Sequence, residues 1–319
     1  MWRWKRLGGI VGTALVAALA VAAGSGTLPG SRVDAQGGAY VAVETWTSRP
    51  AELPPGSFGT ASGVAVSAGR VYVADGIEGR ISVIDPDETV RVLVSSGGGL
   101  DGGLRGPGHL AVDAAAGRVY AADAGAGRVL VFSLDGAPVA AWRDVGVPAG
   151  IAVEAAGTVL VADAAGGRID RYDRDGNRMA RWQAVPAEPG GSLVGGLDTG
   201  PDGRIYAVLP RAAELAVFSP TGQRTATVRI APPGAATWAV DVDVDPDPRG
   251  QAADLVWLAS SRGLLLYEPA REAWTVNPVG ADLAAVAIER AVGVHIAFHG
   301  VPPTGGRVLR LPHATAAAS

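Results

Sequence analysis

Cysteine is absent from this chain. Its absence excludes disulfides, thiol nucleophiles, cysteine–zinc sites and a lipoprotein cysteine. Lysine occurs once, as Lys5, so arginine carries almost all of the basic charge. Aromatic residues make up only 6% of the sequence, and a net charge of −4 gives no whole-protein attraction to nucleic acid or anionic lipid. Without disulfides, packing and strand pairing alone must hold the fold together.

The N-terminal apolar run, residues 7–23, has 17 residues and falls short of the ~20 that a membrane-spanning helix needs. It follows Arg3, Lys5 and Arg6 and precedes small residues at 33–35, which is the order of a secretory signal peptide. The sequence therefore predicts a signal peptide over residues 1–35, cleaved after Ala35, and a secreted or extracytoplasmic protein. A cleavage site at 20–22 and an uncleaved anchor, which would be the protein's one contact with a membrane, stay open.

Glycine (46 residues) and proline (22 residues) are abundant, as expected of many short strands joined by turns. One sequence motif recurs along the chain: a run of β-branched and aromatic residues, a glycine-rich hairpin turn, and a second run of such residues. Its clearest copies are residues 69–84, 117–132 and 157–172, and looser copies are residues 203–218, 255–267 and 293–311. A single supersecondary unit is therefore repeated through the protein.

The residue that opens the third strand of each unit recurs at intervals of 48, 40, 46, 49 and 44 residues. This is the period of four-stranded propeller blades. Ahead of each hairpin lies an inner strand, and behind most hairpins lies a fourth, outer strand. The positions that define the period are Arg80, Arg128, Arg168, Glu214, Gly263 and Arg307.

The last unit ends after its third strand, and the missing strand is predicted at the other end of the chain. Residues 39–46 match the pattern of an outer strand and have no hairpin of their own. We therefore predict an all-β, six-bladed β-propeller with four-stranded blades, in which an N-terminal strand at about 39–46 closes the last blade. The expected organisation is a signal peptide over 1–35, closing strand and linker over 36–57, propeller over 58–313 and a disordered tail over 314–319.

The repeat resembles the NHL repeat of six-bladed propellers, most closely in the first three units. The resemblance lies in a strand of the type Val-Tyr-Val-Ala-Asp that follows a strand of the type Gly-Ile-Ala-Val. The lactonases of the SMP-30/gluconolactonase group, the amidating lyases and the streptogramin lyases are similar propellers. Resemblance to the lactonases implies a divalent metal held by Glu, Asn and Asp. Gly195 occupies the position of that asparagine and cannot ligate a metal. Resemblance to the amidating lyases implies a zinc ion held by three histidines from separate blades. His295 and His299 belong to one blade, and on a shared strand they lie ~13 Å apart, which is too far for both to bind one zinc ion.

Three aspartate–arginine pairs stand at the ends of the clearest hairpins. Both ends of a hairpin face each other, so the carboxylate accepts turn amides and the guanidinium closes the loop. Because the pair recurs from blade to blade, we interpret it as a structural clasp. The clasp residues are Asp75 with Arg80, Asp123 with Arg128, and Asp163 with Arg168.

Inner strands converge on the propeller axis, where two positions of each strand are expected to be small. The first position is Gly63, His109, Gly150, Gly196, Asp241 and Ala285, and the second is Ala65, Ala111, Ala152, Asp198, Asp243 and Ala287. Four of the twelve are ionisable, and buried charge is costly unless it is paired, hydrated or metal-bound. Blades two and five are opposite in a six-fold ring, so His109 and Asp241 are predicted to face each other. A water-filled channel without further function is the alternative to a ligand site at His109, Asp198, Asp241 and Asp243.

We predict an exported bacterial binding or scaffold module, monomeric, for a protein or small ligand that the sequence does not identify. The sequence identifies no catalytic residue. Nucleic acid is not expected as a partner, because acidic residues alternate with the arginines of segment 168–181 and reduce its net charge. No cofactor is expected. Calcium or another divalent metal on Asp198, Asp241 and Asp243 stays open, and with it the rival hypothesis of a metal-dependent hydrolase or lyase.

Overall fold

The computed structural model describes residues 32–33, 39–40, 44–47, 60–87, 89–95, 97, 100–185, 194–230, 239–246, 254–261, 263–270, 272–277, 283–289, 293–298 and 307–311. Within them the fold is an all-β propeller with four-stranded antiparallel blades. The described residues contain no helix that is long and apolar enough to span a membrane.

Five blades are each built from four consecutive strands, in the order inner to outer. Blade one comprises β4 (Ala61–Ser67), β5 (Arg70–Asp75), β6 (Arg80–Ile84) and β7 (Val90–Val94). Blade two comprises β8 (Pro107–Asp113), β9 (Arg118–Asp123), β10 (Arg128–Ser133) and β11 (Pro138–Trp142). Blade three comprises β12 (Pro148–Val153), β13 (Val159–Asp163), β14 (Arg168–Tyr172) and β15 (Arg178–Gln183). Blade four comprises β16 (Leu197–Thr199), β17 (Ile205–Leu209), β18 (Glu214–Phe218) and β19 (Arg224–Arg229). Blade five comprises β20 (Ala239–Pro246), β21 (Asp254–Ser260), β22 (Gly263–Glu268) and β23 (Ala273–Asn277).

A further four-stranded sheet, here called the terminal sheet, combines strands from both ends of the chain. It comprises β24 (Leu283–Glu289), β25 (Gly293–Phe298), β26 (Arg307–Leu311) and β3 (Glu44–Thr47). β3 is antiparallel to β26, with Val308 opposite Trp46. The predicted strand at 39–46 is thus wrong in its bounds: residues 39–40 form β2 (Ala39–Tyr40), which pairs with β1 (Arg32–Val33).

The middle strands are buried on both faces because each four-stranded sheet packs against two neighbours. All five residues of β13 and of β17 are buried, and apart from Asp163 at the end of β13 they form continuous apolar runs rather than an alternating pattern. Six apolar clusters fill the spaces between sheets, and each draws its residues from two adjacent sheets. One of them joins Val64 and Val73 of blade one to Ala285 and Val308 of the terminal sheet. The first and last sheets therefore share a core.

Tryptophan at the end of an outer strand contributes to this packing. Trp142 is 4% exposed and lies between Tyr120 of its own blade and Tyr172 of blade three, at ring-centroid distances of 5.4 and 5.6 Å. Trp182 of β15 packs on Phe218 of blade four at 6.4 Å. These outer rings extend the contact between neighbouring blades to the rim.

The clasp carboxylates are buried and bind backbone as well as arginine. Asp123 is fully buried and accepts hydrogen bonds from the N–H of Arg105 (2.9 Å) and from Arg128 Nε (3.0 Å). Asp75 accepts from the N–H groups of Thr60 and Glu78 and forms an ion pair with Arg80 at 3.4 Å. Each of these carboxylates ties the segment before an inner strand to the hairpin of the same blade.

Blade three has the same arrangement. Asp163 accepts from the N–H groups of Val147, Ala165 and Gly166, and Arg168 lies 2.8 Å from its second oxygen. In blade four the corresponding positions are Leu209 and Glu214, and Glu214 instead lies 3.6 Å from Arg224 on the surface.

Several sequence predictions fall outside the described residues. They are the signal peptide over 1–35 apart from β1, most of the segment 36–57, His299, His313 and the tail 314–319. They stay predictions.

We predict that Asp123→Ala lowers the free energy of unfolding by about 3–5 kcal/mol, because the substitution removes the carboxylate that balances the charge of the buried Arg128 guanidinium. Urea denaturation followed by circular dichroism measures this change. Glu214→Ala is the matched control, since its partially exposed pair with Arg224 is worth about 1 kcal/mol or less. Equal losses in the two variants would contradict the clasp.

Candidate functional site

A recurring β-bulge at the start of the inner strands sets the geometry of the axis. Register shifts occur between Ala61 and Gly63, between Pro148 and Gly150, and between Ala239 and Asp241. β8 and β24 carry shifts at the corresponding place. A bulge bends a strand and re-aims the side chains beside it. It stands next to the first axial position, where His109 and Asp241 are found.

Backbones of neighbouring inner strands come into contact at the glycines of this position. A Cβ on Gly63 would lie 1.8 Å from the carbonyl oxygen of Gly108, and one on Gly150 would lie 2.5 Å from that of Gly195. A Cβ on Gly196 would lie 2.0 Å from Asp241 Oδ1. Glycine at these positions therefore permits the close approach of the strands, and in blade four it leaves the space that the Asp241 carboxylate occupies.

His109 of blade two and Asp241 of blade five meet across the axis, as the comparison of equivalent inner-strand positions predicts. His109 Nδ1 lies 3.2 Å from Asp241 Oδ1, and the side chains are 17% and 8% exposed. Burial lowers the pKa of His109, but the charge of Asp241 and its hydrogen bond outweigh burial, so the pKa is raised above 6.5. The pair therefore favours an imidazolium beside a carboxylate.

Asp198 of blade four and Asp243 of blade five form a second pair, because the N–H of Val244 donates both to Asp198 Oδ2 and to Asp243 Oδ1, each at 2.8 Å. Burial raises the pKa of Asp198, and burial together with the charge of Asp198 raises the pKa of Asp243 well above its usual value. Two carboxyl groups this close repel each other when both are ionised, and one can donate a hydrogen bond to the other only while it keeps its proton. The raised pKa values indicate that the pair retains a proton to a higher pH than an ordinary aspartate does.

The axial aspartates also bind the backbone of the next inner strand, which sequence reasoning did not reveal. Asp241 Oδ2 accepts from the N–H of Val286 at 3.1 Å, and Asp243 Oδ2 accepts from that of Ile288. Asp198 Oδ2 accepts from the N–H of Val244 at 2.8 Å. These N–H groups point toward the axis, where an inner strand has no partner strand, so each carboxylate satisfies a donor of the adjacent sheet.

The four side chains line a cavity of about 170 Å³, here called the axial cavity. The other lining residues belong to the inner strands and have apolar side chains, although polar atoms make up most of the cavity surface. Those wall residues are Val64, Ala65, Val66, Leu110, Ala111, Val112, Ile151, Ala152, Val153, Leu197, Val242, Val286, Ala287 and Ile288. Pockets for drug-sized ligands measure about 300–1,000 Å³, so this cavity suits a molecule of only a few non-hydrogen atoms.

The other sequence-derived candidates lie elsewhere. None of the six clasp residues is among those that line the axial cavity. The arginine-rich segment of blade three is paired with acids: Arg171 with Glu154 (2.6 Å), Arg174 with Asp113 (3.0 Å) and Arg181 with Asp170 (2.5 Å). His295 lies in β25, a middle strand. Across the described part of the chain, no three His, Asp or Glu side chains are grouped so as to hold a metal ion.

Solved structures that resemble this fold are β-propellers. The chain is similar to a streptogramin B lyase (12% identity, TM-score 0.58, covering 84% of this chain and 97% of that one). It is also similar to a catalytically inactive virginiamycin B lyase from Staphylococcus aureus with quinupristin (15% identity, TM-score 0.58, covering 85% and 89%). A gluconolactonase from Xanthomonas campestris matches at 18% identity with a TM-score of 0.59, covering 81% and 88%. No family model and no curated protein matches the chain.

These likenesses establish the propeller fold and no more, because identities below 20% do not carry a site from one propeller to another. The NHL resemblance stays a prediction, as do the ligand-binding roles of the four axial residues.

We predict that Gly63→Ala destabilises the protein by about 1–3 kcal/mol or more, because the new methyl group meets the backbone of the neighbouring inner strand. Gly108→Ala is the matched control, since a Cβ there has no atom within 4 Å. Its effect should stay within about 0.5 kcal/mol. Chemical denaturation of both variants checks this, and a tolerated Gly63→Ala would refute the close approach of the two strands.

Proposed function

We propose that this protein is an exported, NHL-type propeller that acts as a binding module, and that its axial cavity takes a small polar ligand. The observation that carries the proposal is the convergence of His109, Asp198, Asp241 and Asp243 on one cavity whose other lining side chains are apolar. In small-molecule sites a few placed polar groups fix the orientation of the ligand.

The polar groups of the cavity define the chemistry of the ligand. Three of the four are carboxyl groups, which accept hydrogen bonds from hydroxyl and ammonium donors. The volume of about 170 Å³ restricts the ligand to the size of ethanolamine or glycerol, or to the end group of a larger molecule. A ligand that donates two or three hydrogen bonds therefore suits the site best.

We propose further that the ring has six blades, with the terminal sheet as the sixth. Two observations support this: β3 pairs with β26, and an apolar cluster joins the terminal sheet to blade one. Inner strands β24 and β4 are also in contact, as are the other successive inner strands. A closed ring leaves no inner sheet edge exposed to another chain.

The metal-dependent hydrolase or lyase remains the rival, and two features of the site favour binding over it. One carboxyl oxygen of each of Asp198, Asp241 and Asp243 already accepts from a backbone N–H of the next strand. Gly195, which stands where lactonases of the SMP-30 type have asparagine, has the carbonyl oxygen of Val240 2.9 Å from the place of a Cβ. A metal-binding side chain at residue 195 would require the backbone to shift.

We predict that millimolar ethanolamine or glycerol raises the thermal midpoint of the protein, because a ligand that binds only the folded state stabilises it by mass action. Calorimetry measures this midpoint with and without the ligand. The Asp198→Asn variant should lose the ligand-induced shift, whereas Asp202→Asn, which changes an exposed aspartate on a blade-four turn, should retain it. Calcium and zinc, added after chelation, and a screen of lactones and esters test the rival. The binding proposal would be contradicted by metal-dependent turnover that Asp198→Asn abolishes. It would also be contradicted by an equal thermal shift in the Asp198→Asn and Asp202→Asn variants.

A further inference from the structure

We infer that the axial aspartates form a pH-dependent lock, in which a proton shared by Asp198 and Asp243 joins the inner strands of blades four and five to the terminal sheet. Loss of this proton in alkaline solution loosens the axis. The lock needs no bound ligand.

The connection runs through three successive inner strands. Asp198 Oδ2 of β16 and Asp243 Oδ1 of β20 both accept from the N–H of Val244 in β20, each at 2.8 Å, so the two carboxyl groups lie side by side. Asp243 in turn accepts from the N–H of Ile288 in β24. One proton therefore closes a chain of hydrogen bonds that crosses two boundaries between sheets.

Among the described residues that line the cavity, His109 alone can carry a positive charge. Among the residues lining the cavity, β8 contributes His109, β16 contributes Asp198, and β20 contributes Asp241 and Asp243. The lining residues of β4, β12 and β24 are all apolar. His109 is itself paired with Asp241 at 3.2 Å, so ionisation of both Asp198 and Asp243 places two like charges side by side.

The sign of the pH dependence follows from the direction of the shifts. Asp198, Asp243 and His109 all have a pKa that is raised in the folded protein. Their contribution to stability is present below the ordinary values of 3.8 for aspartate and 6.5 for histidine. It is lost as the pH rises through the raised values, because the folded state binds protons more tightly than the unfolded state.

The lock is tested by urea denaturation of the full chain over a series of pH values from mildly acidic to mildly alkaline. In the wild-type protein the folding equilibrium constant should fall by about tenfold for each unit by which the pKa of Asp243 is raised. Asp243→Asn, which keeps the shape but cannot ionise, should flatten this fall. Asp198→Asn removes the same repulsion from the other partner and serves if Asp243→Asn does not fold. Asp202→Asn is the control and should follow the wild-type profile.

Hydrogen exchange of the β20 and β24 amides gives a local readout. After correction for the intrinsic dependence on pH, protection of the Val244 and Ile288 N–H groups should fall in alkaline solution in the wild-type protein but not in the asparagine variants. A wild-type pH profile that persists in a folded Asp243→Asn or Asp198→Asn variant would overturn the inference. Unchanged protection of both amides across the pH series would also overturn it.

Discussion

The close approach of the inner strands around the axis is the constraint on which the rest of the structure depends. Gly63, Gly150 and Gly196 lie where a methyl group would meet the backbone or a carboxylate of the adjacent sheet. Each sheet then packs its apolar middle strands against two neighbours and gains its core from both. In a chain without disulfides, stability rests on these interfaces and on the buried clasps that hold the hairpins of blades one to three to their inner strands.

The charged groups at the axis follow from the same geometry. An inner strand presents N–H groups that no neighbouring strand can pair, and Asp198, Asp241 and Asp243 satisfy three of them. The cost of burying these carboxyl groups is offset by the N–H donors, by the shared proton and by His109. The same side chains thus connect adjacent sheets and form the polar part of the axial cavity, so ligand binding and axial stability are expected to be coupled.

The sequence was informative wherever the repeat itself carried the signal. The repeated hairpin and its spacing predicted four-stranded blades, and the structure confirms them. Comparison of equivalent positions selected His109 and Asp241, which meet at 3.2 Å, because a polar residue at a position that is otherwise glycine or alanine is visible in an aligned repeat.

Other features of the fold and of the axial cavity could not be predicted, because they depend on how the backbone of one sheet is placed against the next. The bulges, the N–H partners of the aspartates and the proton shared by Asp198 and Asp243 arise from the placement of one sheet against the next. The closing strand was placed at 39–46 on its resemblance to an outer strand, whereas its pairing with β26 covers residues 44–47. Register is set by the partner strand, which the pattern of one strand does not contain.

The contact of His109 with Asp241 across the axis tests the account most directly, because only a ring that brings blades two and five face to face produces it. Proton NMR titration of the histidine rings, with His109→Gln to assign the signal, measures the pKa of His109 in the wild-type protein and in Asp241→Asn. The account predicts a pKa above 6.5 that falls in the variant, since the burial that remains lowers it. A His109 pKa that is the same in both proteins would contradict the account.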